Sequence, residues 1–232
     1  MQHTHRLAFL AGHMFVDLPE GRFIVDTGSP RSFGDAGTAT YGGRAHALPR
    51  RVEEFDLAAL APLGLEARIG ARLRGLIGMD ILGGEPVLWD GARGRAIVRP
   101  PAPVAALARV SYTLEPTIGV PVIRAVVGDR EARLVFDTGA QFGYLAEETD
   151  LSRGVDAGEL ADHHPMLGAI RSASAKLPVA LASVRVRERF AFHEPLSARL
   201  LRPHGLDGIL GCSWMPARRV WMLPAESVLV IE

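Results

Sequence analysis

Asp26 and Asp137 each stand at the end of a short apolar run, and each is followed by Thr and Gly. The first stretch reads RFIVDTGS at 22–29 and the second RLVFDTGA at 133–140, 111 residues later. A carboxylate at the end of an apolar strand is costly to ionise unless nearby groups hold it. Gly28 and Gly139 permit a sharp turn and close backbone approach, and N–H groups in such a turn can bond the carboxylate oxygens. Thr27 and Thr138 offer hydroxyls that can bond across to the other half. Two such loops brought together place like charges a few ångströms apart, so the pair shares one proton. One carboxylate can then act as general base on a water while the other, protonated, polarises a peptide carbonyl. That chemistry calls for no metal, no cofactor and no covalent intermediate. Ser29 can add a hydrogen bond to Asp26, and Ala140 cannot do the same for Asp137, which favours Asp26 as the ionised partner.

The elements that must position these residues also recur. Residues 76–82 read LIGMDIL and residues 209–215 read ILGCSWM, each with two large aliphatics before a glycine. Each half therefore runs strand, Asp-Thr-Gly, variable middle, aliphatic pair plus Gly, then a closing hairpin. Residues 14–18 and 22–25 flank Pro-Glu-Gly as a hairpin feeding the first Asp, and 122–127 with 132–136 repeat it around Gly128-Asp129-Arg130. Residues 87–90 and 95–98 predict another hairpin, and 227–231 a closing strand. The stretch 99–108, RPPAPVAALA, is proline-rich and suits an exposed linker. Its place divides the chain into 1–100, a linker at 101–110, and 111–232. Helix signals are few. Asp56 could cap a short helix over 57–63, and 147–151 could form one turn.

The paired DTGS and DTGA, each with its aliphatic-aliphatic-Gly partner downstream, resemble the aspartic peptidases of the pepsin and retropepsin type. In that family the aliphatic-Gly strand threads beside the Asp loop. The resemblance implies an all-β fold of two pseudo-symmetric acid-protease lobes with a cleft between them, like two retropepsin-sized lobes fused in one chain. It implies an aspartic endopeptidase, with Asp26 and Asp137 as the catalytic pair and Thr27, Gly28, Ser29, Thr138, Gly139 and Ala140 supporting them. The family closes its cleft with a hairpin flap. Residues 38–48 hold Gly42-Gly43 between two β-prone runs, which suits a tight hairpin. It is either a flap with Tyr41 as its aromatic, or an ordinary surface hairpin. In the second half 163–169 or 171–177 is the flap-like stretch. The segment 29–34 departs from the pattern, since only Phe33 can enter the core there.

Composition bounds the alternatives. Aromatic residues make up 6% of 232, so the core must be mostly aliphatic. A formal net charge of zero gives no electrostatic case for nucleic acid or an anionic membrane as partner. Cys212 is the single cysteine, so no intrachain disulfide forms, and with no membrane-length apolar run the expectation is a cytoplasmic protein. His163-His164 would point to opposite faces of a strand, so a polar loop is favoured over a metal site. Cys212 reads as an inert core residue, Asp80 as a turn cap, and Trp89, Trp214 and Trp221 as packing. The partner is then a peptide or protein substrate met by a monomer. The alternatives are a non-catalytic peptide-binding or scaffolding protein on the same fold, and a homodimer in which one lobe of each chain makes a site.

Overall fold

Short alternating apolar runs broken by glycine-containing turns make this chain a strand former. The computed structural model describes residues 1–52, 58, 66–67, 70–164 and 167–232. Among these, the first half holds β1 (His3–Leu10), β2 (His13–Leu18), β3 (Gly21–Val25), β4 (Phe33–Gly34), β5 (Thr38–Tyr41), β6 (Arg44–Ala47), β7 (Leu73–Ile77), β8 (Val87–Asp90) and β9 (Arg95–Val98). The second holds β10 (Ala108–Leu114), β11 (Pro121–Val127), β12 (Arg130–Phe136), β13 (Gly143–Leu145), β14 (Val155–His164), β15 (Gly168–Leu181), β16 (Val184–Phe192), β17 (Gly208–Leu210), β18 (Arg219–Leu223) and β19 (Val228–Ile231). Helical pieces are short, such as Met79–Leu82 and the 3₁₀ turns Glu148–Arg153 and Met215–Ala217. No helix of the described residues is long and apolar enough to cross a membrane.

The halves are sewn together by one antiparallel run in the order β1–β9–β8–β18–β19–β10. Its seam is β8 on β18, with Trp89 opposite Val220. The largest core cluster draws on both halves. Phe136, fully buried immediately before Asp137, lies 6.4 Å from the Trp89 ring of the first half and 6.4 Å from that of Trp214 in the second. Removing such a side chain costs about 3–5 kcal/mol, so this packing fixes the position of the adjacent carboxylate.

Each Asp is placed by a strand that runs parallel to its own. β3 pairs parallel with β7, Val25 beside Ile77, and Asp26 N–H donates to the Ile77 carbonyl at 2.9 Å. β12 pairs parallel with β17, Phe136 beside Leu210, and Asp137 N–H donates to the Leu210 carbonyl at 3.0 Å. β4 and β13 return antiparallel on the far side of β7 and β17. Gly78 and Gly211 then let the chain pass under the Asp loops. A Cβ on Gly78 would lie 2.7 Å from the Arg31 carbonyl, and one on Gly211 2.9 Å from that of Ala140.

Several expectations change. β1, β14, β15 and β16 are strands that the sequence signalled poorly. β10 begins at Ala108, inside the stretch assigned to the linker, because it pairs with β19. The helix expected over 57–63 with Asp56 as its cap falls, Ala58 apart, outside the described residues. His163 and His164 end a strand and not a loop, since β14 pairs there with Ala169 and Gly168. Phe33 does enter the core, opposite Leu76, and Ser32 ties the preceding bend by donating to Asp80 at 2.6 Å and accepting from Gly78 N–H at 2.8 Å.

Candidate active site

The two Asp-Thr-Gly loops meet. Thr27 N–H donates to Thr138 Oγ1 at 3.0 Å and Thr138 N–H donates to Thr27 Oγ1 at 3.0 Å. Each hydroxyl then donates onward, Thr27 to the Phe136 carbonyl at 2.6 Å and Thr138 to the Val25 carbonyl at 2.8 Å. Both threonines are fully buried. The glycines leave room for the carboxyls. A Cβ on Gly28 would stand 2.3 Å from Asp137 Cγ, and one on Gly139 2.4 Å from Asp26 Cγ. Each carboxyl thus lies over the other loop's glycine, and the two carboxyls act directly on one another. Both aspartates are half-buried.

The pair is not evenly supported. Asp137 Oδ1 accepts from the N–H groups of Gly139 at 2.8 Å and Ala140 at 3.1 Å. The amides of Gly28 and Ser29 also face Asp26, yet Asp26 Oδ1 is buried with no hydrogen-bond partner among the described residues. Burial, then the neighbouring Asp137 charge, push Asp26 well above the usual carboxylate range. Burial raises Asp137 too, but the Asp26 hydrogen bond, the two amides and His13 pull it back. Of the two, Asp26 carries the heavier burden of burial and Asp137 is the better supported by hydrogen-bond donors. The Ser29 hydroxyl, expected to bond Asp26, instead donates to the Arg31 carbonyl at 2.8 Å.

The Gly42-Gly43 hairpin forms, with positive φ at both glycines and Tyr41 opposite Arg44. Its tip is docked on β1 and on Arg99, next to the end of β9. Gly42 N–H donates to His5 Nε2 at 3.1 Å, Arg99 donates to the Gly42 carbonyl at 2.6 Å, and the buried Tyr41 ring stacks on His5 at 5.4 Å. Tyr41, Gly42 and Gly43 are thus tied to β1 and β9, with Tyr41 a buried core residue. The physical reason is burial, since Tyr41 joins the core of β1 and β9. In the second half, β14 and β15 pair His163 with Ala169 and His164 with Gly168, next to Asp162, which accepts from the Tyr144 hydroxyl at 2.6 Å.

Two residues near the pair were missed. His13 opens β2, is 4% exposed, and places Nδ1 2.8 Å from the Gly139 carbonyl oxygen. Glu188 occupies an inward position of β16 between Val186 and Phe190. Burial pushes it up to about 7, against hydrogen bonds from Ser213 Oγ at 2.9 Å and Arg189 N–H at 2.8 Å. The first left no signal in the sequence, because its equivalence to Val120 depends on the strand registers. The VRVRERF alternation at 184–190 could have shown the second. Cys212 is buried, its thiol 3.5 Å from the Gly12 carbonyl and raised by burial and by Glu188. Trp89 and Trp221 are buried packing residues.

No protein-family model matches this chain, and neither does any curated protein.

Proposed function

We propose that this chain is an aspartic endopeptidase. Its two halves then act as pseudo-symmetric lobes, 1–100 and 111–232, holding an extended peptide between them by strand-like hydrogen bonds. The observation that carries the reading is the face-to-face placement of Asp26 and Asp137, each over the other's glycine. A water between them loses a proton to the ionised Asp137 as its oxygen attacks the peptide carbonyl. Asp26 donates its proton to the developing oxyanion. Asp137 then passes its proton to the nitrogen as the C–N bond breaks, Asp26 regains one from a hydroxyl of the tetrahedral intermediate, and no covalent enzyme intermediate forms. Such a molecule works as a monomer, and its lone thiol suits the cytoplasm.

One observation favours a second reading, a non-catalytic peptide-binding protein: the tip of the first-half hairpin is already bonded to His5 and Arg99. Digestion of a peptide library from acid to neutral pH separates the two. Cleavage that disappears in both Asp26→Asn and Asp137→Asn supports the peptidase, while peptide binding without cleavage supports the alternative.

A further inference from the structure

His13 has no counterpart in the second half, and the strand registers locate the difference. Ile24 and Val135 each precede their Asp by two residues, and their partners across the hairpins are Phe15 and Val122. Counting back two from those partners gives His13 in one half and Val120 in the other. Counting back one more gives Gly12 and Gly119, both with positive φ. The turns bearing them sit on the opposite half's Asp loop. A Cβ on Gly12 would strike the Gln141 side chain at 2.1 Å, and one on Gly119 would lie 4.0 Å from Pro30. The two contacts correspond, but only the first brings a polar side chain.

The Gly139 carbonyl can only accept, so the His13 Nδ1 facing it at 2.8 Å carries a hydrogen. That carbonyl belongs to the peptide unit whose N–H is Ala140, and Ala140 N–H donates to Asp137 Oδ1 at 3.1 Å. A chain of polarised groups therefore runs His13 Nδ1–H to O=C of Gly139, through the peptide, then Ala140 N–H to Asp137. Hydrogen bonds in series strengthen one another, most where water is excluded. Val120 can supply nothing of the kind to the Gly28 carbonyl. We propose that His13 is a positioning residue that selects Asp137 as the ionised carboxylate of the pair, leaving Asp26 as the acid. This rests on the carboxylate-pair reading above. The Nδ1 hydrogen is present in either charge state of the ring, so the support does not depend on its titration. Cys212, whose thiol meets the Gly12 carbonyl, is a further titratable group by the pair, and Glu188 acts on Cys212 in turn.

The test compares three variants. His13→Val copies the second half. His13→Asn keeps a donor at the place of Nδ1, and His13→Gln moves it to the place of Nε2. The readouts are the pH profile of kcat/KM on a cleaved peptide and the carboxyl ¹³C titration of Asp137, assigned with Asp137→Asn. In wild type Asp137 should show the lower apparent pKa of the pair. In H13V and H13Q that value, and the acid limb of the profile, should rise by about half a unit or more, and H13N should restore it. An Asp26 that ionises first in wild type, or a folded H13V with an unmoved Asp137, overturns the proposal. If H13V does not fold, the contrast between H13N and H13Q decides. A wild type that cleaves no peptide, yet shows the Asp137 shift, would refute the peptidase and leave this inference standing.

Discussion

Thr27 and Thr138 are each at once donor and acceptor for the other's loop, so each hydroxyl is bonded twice at the point where the halves of the chain touch. The arrangement removes freedom from both Asp loops, because any sliding of one half breaks bonds on both sides. Replacing Thr27 by Val strands the Thr138 N–H and the Phe136 carbonyl in a buried place. The expected loss is about 2–3 kcal/mol for either Thr→Val, read by urea unfolding. The double variant should lose less than the sum, since the two share the same bonds.

The glycines over which the carboxyls lie should tolerate no side chain. Gly28→Ala would set a methyl 2.3 Å from Asp137 Cγ, and Gly139→Ala one 2.4 Å from Asp26 Cγ. Either should force the carboxyls apart and lower kcat by about 100-fold or more. Thermal unfolding would show both variants folded, while the two carboxyl titrations move closer to ordinary behaviour.

Much of this was legible in the sequence because it depends on local pattern. The Asp-Thr-Gly repeat, the aliphatic-Gly partners and the short hairpins around 19–21, 91–94 and 128–130 each leave a mark within a dozen residues. The hairpin at 42–43 was equally legible as a turn, but its destination was not. What decides whether Tyr41 hangs over a cleft or packs on His5 is tertiary burial, which the turn residues do not encode. Ser29 was legible as a donor, but its acceptor proved to be the Arg31 carbonyl two residues on. His13 looked like an interruption of an apolar patch until the register set it opposite Val120 in the repeat.

Glu188 makes stability depend on pH. Its folded value near 7 stands above the ordinary 4.5, so the folded protein holds that proton more tightly than the unfolded chain. The stabilisation is complete below the ordinary value and is lost as pH rises through about 7. Glu188→Gln keeps a partner for Ser213 and never ionises. It should match wild type near pH 4 and exceed it at pH 8, by at most on the order of 3 kcal/mol. Denaturant melts at the two pH values check the sign.

Tyr41 gives a separation of structure from chemistry. Its hydroxyl is buried with no hydrogen-bond partner among the described residues, and burial raises its pKa. Tyr41→Phe should therefore be neutral or stabilising by about 1 kcal/mol and leave kcat/KM unchanged. A flap role for the hydroxyl would instead appear as a raised KM at unchanged stability.

The most direct measurement is kcat/KM for one cleaved peptide across acid to neutral pH in wild type, Asp26→Asn and Asp137→Asn. A water-activating pair predicts that each substitution abolishes turnover, and that wild type is active only between the two ionisations. Cleavage that survives either substitution would contradict it.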